Sequence, residues 1–233
     1  MNKNTLPHGM KARILETVQK TSSPTRKAVT ADVVLVLLTA LAAALNVFLG
    51  AGGSNLGPRP AALVVTTLLG RGSIALASSW AALGRGRSML GRSLGWLVAT
   101  TVSTPLAIAG WMLLAAPTPV SGPTSDWYCF AVAALIGLAP LLAFATVHRQ
   151  SDVARPVATG AALGAAAGAW ADFLMVLHCP TAEFGHRFLC HLGPSAILVA
   201  LGAGFGAVLI RPNVRSDAFE ADRSAVQRFT NGG

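Results

Sequence analysis

Six stretches of the chain carry apolar residues almost without interruption: 33–50, 61–83, 93–116, 127–147, 155–177 and 192–210. Each approaches the roughly 20 apolar residues that one helix needs to cross a hydrocarbon layer. The second run holds one charge, Arg71, and the fifth holds one, Asp172; the others hold none between their ends. The runs are rich in Ala and Leu and do not alternate, which excludes the strands of a membrane barrel. The first run follows a basic segment as a secretory signal does. It reads instead as a retained helix, because 32 residues precede it and Ala51-Gly52-Gly53 is a poor cleavage site.

Ahead of the first run the pattern changes to helical spacing. Met10, Ile14 and Val18 fall at i, i+4 and i+8, and Lys11, Arg13, Glu16 and Lys20 take the other faces. Ser22-Ser23-Pro24 ends this amphipathic helix, since the residue before proline avoids helical geometry. Such a helix suits either an anionic lipid surface or a groove on a soluble partner.

Composition agrees with the pattern. Of 233 residues 53% are hydrophobic and 12% charged, about half the charge that a soluble domain carries. The formal net charge of +9 and isoelectric point near 10.8 do not mark a nucleic-acid binder, because the positive residues lie between apolar runs. Their distribution sets the topology instead. With the N-terminus in the cytoplasm, fifteen Lys and Arg fall in the arm, the loops 84–92 and 148–155 and the tail. Only Arg59 and Arg187 fall outside. The expected fold is therefore an all-α integral membrane protein with six transmembrane helices and both termini cytoplasmic. Residues 1–32 form a cytoplasmic arm, 33–210 the bundle and 211–233 a tail.

Three groups of residues carry candidate chemistry. Arg71 and Asp172 differ in depth by roughly 7 Å at 1.5 Å per residue, within reach of an arginine, and an unpaired charge at that depth is costly. They are expected to form an intramembrane ion pair. Gly160, Gly164 and Gly168, with Gly202 and Gly206, recur at four-residue intervals and suit close helix packing. The sharpest local signal is the connector His178-Cys179-Pro180 through His186 to Cys190-His191, placed on the outer side. If 183–191 is helical, His186 and Cys190 share a face. Cys179 and Cys190 could close a 12-residue loop, or the thiols and imidazoles could sense oxidants or hold zinc, copper or a haem. The spacing matches no standard zinc motif. No nucleophile elbow, zinc-protease helix or phosphate loop is present, so no enzyme is expected.

The motifs together resemble the NrsF family of bacterial six-helix membrane anti-sigma factors, in particular its myxobacterial members. The resemblance is carried by Ser23-Pro24-Thr25-Arg26, Gly57-Pro58-Arg59-Pro60 and Arg85-Gly86-Arg87-Ser88-Met89-Leu90-Gly91-Arg92. It continues through Thr104-Pro105 with Trp111, and His178-Cys179-Pro180 with His186, His191 and Pro194. It implies a protein of the bacterial inner membrane that holds an extracytoplasmic-function sigma factor until a stress or light signal arrives, with no direct nucleic-acid contact. The sigma factor would be gripped by Met10, Ile14, Val18 and Arg13 of the arm. The resemblance gives Cys179 as the outward-facing sensing thiol and places neither Cys190 nor Cys129; the local cluster adds His178, His186, Cys190 and His191 to the expected sensing site. Two alternatives from other classes remain: a small transporter or channel past Asp172, and a membrane protein binding metal or haem at the 178–191 cluster.

Overall fold

The computed structural model describes residues 34, 38, 41, 42, 44–46, 48–52, 60–83, 92–114, 126–148, 154–179 and 183–209. The arm, with Met10, Arg13, Ile14 and Val18, and the tail lie outside them. The chain divides into two compact units, 1–35 and 36–233. In the second, the described residues up to Gly50 are helical, and Ala44 and Phe48 join the core. Gly52 takes φ of 106° and its N–H reaches Leu49 O at 3.0 Å, a helix ending that glycine adopts without steric cost.

The remaining helices are α1 Ala61–Leu83, α2 Leu94–Leu114, α3 Asp126–His148, α4 Pro156–His178, the short α5 Phe184–Arg187 and α6 Gly193–Leu209. Among the described residues, five helices are long and apolar enough to cross a membrane, the last running from Phe184 to Val208. The regular structure of the described residues is all helical, and its five long apolar helices mark a multi-pass membrane protein. The predicted run 61–83 coincides with α1, and 93–116, 127–147 and 155–177 match α2 to α4 within two residues at each end. Most of the first run, 33–50, lies outside the described residues.

Helix α4 sits at the centre. Of its most apolar 18-residue window 72% is buried, against 17% for α1, and Ala162 to Ala169 are all buried. Its small side chains permit this. A Cβ on Gly160 would stand 2.0 Å from Gly202 O, one on Gly164 2.2 Å from Leu198 O, and one on Gly206 2.1 Å from Pro156 O. The two glycine stripes therefore pack α4 on α6 backbone to backbone, the close approach that small residues allow in membranes. The outer faces carry Leu69, Leu76, Leu106 and Leu113, all exposed, as lipid contact requires.

Gly164→Ala is expected to destabilise the bundle by about 1–3 kcal/mol, because the clash is with backbone and cannot be relieved by a rotamer change. Gly204→Ala, where nothing lies within 4 Å, should be neutral. Thermal unfolding of both variants in the same detergent measures the difference.

Candidate functional site

From Phe184 onward the connector is helical, as the helical reading of 183–191 requires. Cys179 ends α4 with extended backbone (φ −84°, ψ 118°), and its N–H is held by Met175 O. After Glu183 the chain turns helical again through α5, then follows a π-helical turn, Phe188–Leu192, straight into α6. The Gly193 N–H bonds to Phe188 O, five residues back. In a regular α-helix residues five apart lie about 140° round the axis, but a π turn brings them close to register. His186 and His191 thus both point inward, with ring centroids 6.2 Å apart. Cys179, His186, Cys190 and His191 are all buried.

The inward side chains meet the first turn of α3. Cys179 Sγ lies 3.1 Å from His186 Nε2, and His186 Nδ1 lies 2.6 Å from Asp126 Oδ1. Cys129 Sγ stands 3.9 Å from Cys179 Sγ. Cys190 approaches the other ring nitrogen, 3.8 Å from His186 Nδ1, and its thiol donates to the Asp126 carbonyl at 3.1 Å. None of the three cysteines is in a disulfide. Cys179 faces Cys129 rather than closing the 12-residue loop with Cys190. The Asp126 carboxylate can only accept from Nδ1, so a neutral His186 presents the Nε2 lone pair to Cys179. A thiol, an imidazole and a carboxylate in this order form the arrangement that draws a proton from a thiol. The same atoms also make a ligand set. Cys129, Cys179 and His186 offer atoms within 4.8 Å of one another, as do Asp126, His186 and Cys190. The first set is soft and suits a thiophilic metal ion. Asp126 on Nδ1 then orients the imidazole, as outer-shell carboxylates do.

A second cluster lies deeper. Arg71 on α1 and Asp172 on α4, each 1% exposed, pair through a guanidinium nitrogen and Oδ1. His191 Nδ1 stands 3.5 Å from the same oxygen, close enough for charge but too long for a hydrogen bond. Among the described residues Arg71 Nε and Nη2, Asp172 Oδ2 and both His191 nitrogens have no hydrogen-bond partner. His191 is also within electrostatic reach of the Cys179 thiol. The two clusters are therefore contiguous, running from Asp126 through His186, Cys179 and His191 to Asp172 and Arg71. His178 goes elsewhere, its ring set 6.2 Å from both Phe48 and Tyr128. His178 and His191 thus turn toward different neighbours.

Asp126 and Cys129 escape a local reading of the sequence, because they lie fifty or more residues from the connector. The available signal is their i, i+3 spacing at the start of the fourth apolar run, the end that lies level with the connector once helices alternate.

Residues 17–211 match a family described as negative regulator of sigma F, NrsF. The chain belongs to the NrsF family. The match covers every described element. An NrsF protein is a negative regulator of a sigma factor, so a sigma factor is its partner, and the match indicates no catalytic family. No curated protein and no solved structure matches the chain.

Proposed function

We propose that this NrsF protein holds an extracytoplasmic-function sigma factor at the inner face of the bacterial inner membrane and releases it when thiol chemistry occurs on the opposite face. The Lys and Arg distribution supports the topology, with both termini and the arm in the cytoplasm. The apolar stripe Met10, Ile14 and Val18 docks on the sigma factor, with Arg13 beside it meeting acidic groups. Motif likeness to the myxobacterial, CarR-like members supports a stress or light stimulus that reaches the thiols as an oxidant or a thiophilic metal ion.

The observation that carries the sensing half is the row Asp126–His186–Cys179, with Cys129 as second thiol. His186 takes the Cys179 proton. The thiolate then either joins Cys129 in a disulfide, with two electrons passing to the oxidant and two protons released, or binds a metal ion with Cys129 and His186. Either event changes charge beside His191, and through it the Arg71–Asp172 pair that ties α1 to α4. The intramembrane pair is thus the path by which the outer site acts on the bundle.

The sigma-binding half is tested with the full chain in membranes. Ile14→Asp puts a carboxylate into the apolar stripe. The sigma factor is expected to leave the membrane fraction and its target transcription to rise to the level of a deletion strain. Retention of sigma and repression by Ile14→Asp, at normal protein abundance, would remove the arm from the binding role.

A further inference from the structure

Sulfur approaches the imidazole of His186 on both of its nitrogens. Nε2 faces Cys179 Sγ at 3.1 Å, and Cys129 Sγ stands 3.9 Å from that sulfur. Nδ1 faces Cys190 Sγ at 3.8 Å and Asp126 Oδ1 at 2.6 Å. Either ring nitrogen of a histidine can bind a cation, so one ring serves two ions when each nitrogen has further ligands beside it. Both nitrogens of His186 do. The donor atoms of Cys129, Cys179 and His186 lie within 4.8 Å of one another, and so do those of Asp126, His186 and Cys190. The two sets share His186 and nothing else.

The spacings suit metal bonds. With bonds of about 2.3 Å to sulfur and 2.0–2.2 Å to nitrogen or oxygen, tetrahedral neighbours stand roughly 3.8 Å apart for two sulfurs, 3.6 Å for sulfur and nitrogen and 3.4 Å for nitrogen and oxygen. The separations of Cys129 from Cys179 and of Cys190 from His186 already agree. The Asp126 oxygen has to withdraw by about 0.8 Å. It is free to do so, since its side chain is 70% exposed, against 2% for that of His186. The sets also differ in character. Cys129, Cys179 and His186 are all buried and soft. The other set replaces one sulfur with an exposed carboxylate, which suits zinc or a similar ion that keeps a water ligand.

We propose that Asp126 Oδ1, His186 Nδ1 and Cys190 Sγ form a second divalent-cation site, joined through the His186 ring to the ion held by Cys129 and Cys179. Each ion displaces two protons. The first replaces the thiol protons of Cys129 and Cys179. The second replaces the thiol proton of Cys190 and the ring proton that Nδ1 shares with Asp126, leaving an imidazolate between the two ions. Four protons leave as two cations enter. Asp126 orients the ring while one ion is bound and becomes a ligand when the second arrives. The bridge rests on the metal branch of the sensing proposed above. The second site itself rests on Asp126 and Cys190, which that branch does not use as ligands.

The test is cadmium binding to the reduced full chain in detergent, read by elemental analysis after desalting and by cadmium NMR. Wild type is expected to hold two ions with separate resonances. The line of the two-thiolate set should lie further downfield, because each thiolate ligand moves cadmium downfield. Cys190→Ser should lower the stoichiometry from two to one and lose the upfield line. Cys129→Ser/Cys179→Ser should also hold one ion, with the upfield line kept. Wild type that saturates with one ion and is indifferent to Cys190→Ser overturns the proposal. A second ion that survives Cys190→Ser overturns it too, by placing that ion elsewhere. A single ion lost in Cys190→Ser but kept in Cys129→Ser/Cys179→Ser supports the second site and removes the bridge together with the metal branch of the sensing. If Cys190→Ser fails to fold, Asp126→Asn carries the test, since its side chain is exposed: a weakened upfield site supports the proposal, and one of wild-type affinity overturns it.

Discussion

Asp172→Leu is expected to destabilise the bundle by about 3–5 kcal/mol, the cost of stranding one member of a buried ion pair. Arg71 is 1% exposed, and two of its nitrogens already lack partners among the described residues. Without the carboxylate its whole charge is uncompensated inside the bundle. The reverse change should be milder. In Arg71→Leu the Asp172 carboxylate keeps His191 Nδ1 at 3.5 Å, and His191 can take up a proton and serve as the cation. The double variant Arg71→Leu/Asp172→Leu removes both charges and should recover most of the loss, since an apolar pair of similar volume often matches a buried ion pair. Unfolding midpoints of the three variants in one detergent give the order wild type, double, Arg71→Leu, Asp172→Leu. A stable Asp172→Leu would break the account. If Asp172→Asn stayed folded and abolished a measured ion flux, the pair would belong to a transport path and the channel reading would replace the regulatory one.

How well the sequence disclosed the molecule depends on the distance over which each feature is written. The long helices are local statements. An unbroken apolar run of membrane length can only be a helix, so the bounds of α1 to α4 follow from composition alone. The Arg71–Asp172 contact spans 101 positions, yet the rarity of charge in those runs leaves each residue one partner of opposite sign. The connector is legible in part: a helix over 183–191 can be entertained from the sequence, but its running on without a break into the last apolar run cannot. Pro194 has no N–H to give Cys190 O, four residues back. The backbone absorbs this in the π turn, where Gly193 bonds to Phe188 O instead. The helix continues, and His191 turns from an outer residue into a neighbour of Asp172. Nothing local foretells the packing of α3 on the connector. That packing is what adds Cys129 and Asp126 to the thiols and imidazoles the connector displays.

Cys179→Ser is expected to give a protein that retains the sigma factor and no longer answers the stimulus. Cys179 is the one thiol that faces both His186 Nε2, at 3.1 Å, and Cys129 Sγ, at 3.9 Å. A serine hydroxyl preserves the size and the hydrogen bond but forms neither a disulfide nor a strong bond to a soft metal ion. Cys129→Ser should be equally unresponsive, since both outcomes of Cys179 chemistry use the second thiol. Cys190→Ser should respond nearly as wild type, because its sulfur faces the Nδ1 side of the ring and the Asp126 carbonyl. Asp126→Ala leaves both thiols in place but frees His186 from its carboxylate. If the stimulus is a metal ion, affinity should fall about 10- to 100-fold, as for other outer-shell losses. The two stimuli separate on treated membranes. Alkylation after a peroxide pulse should find Cys129 and Cys179 blocked until a reductant is added, whereas after cadmium they should become reactive on chelation alone. Sigma release scored in the same samples ties the chemistry to the output. Should Cys129→Ser and Cys179→Ser both release sigma as wild type does, the thiol row is structural and the signal enters elsewhere.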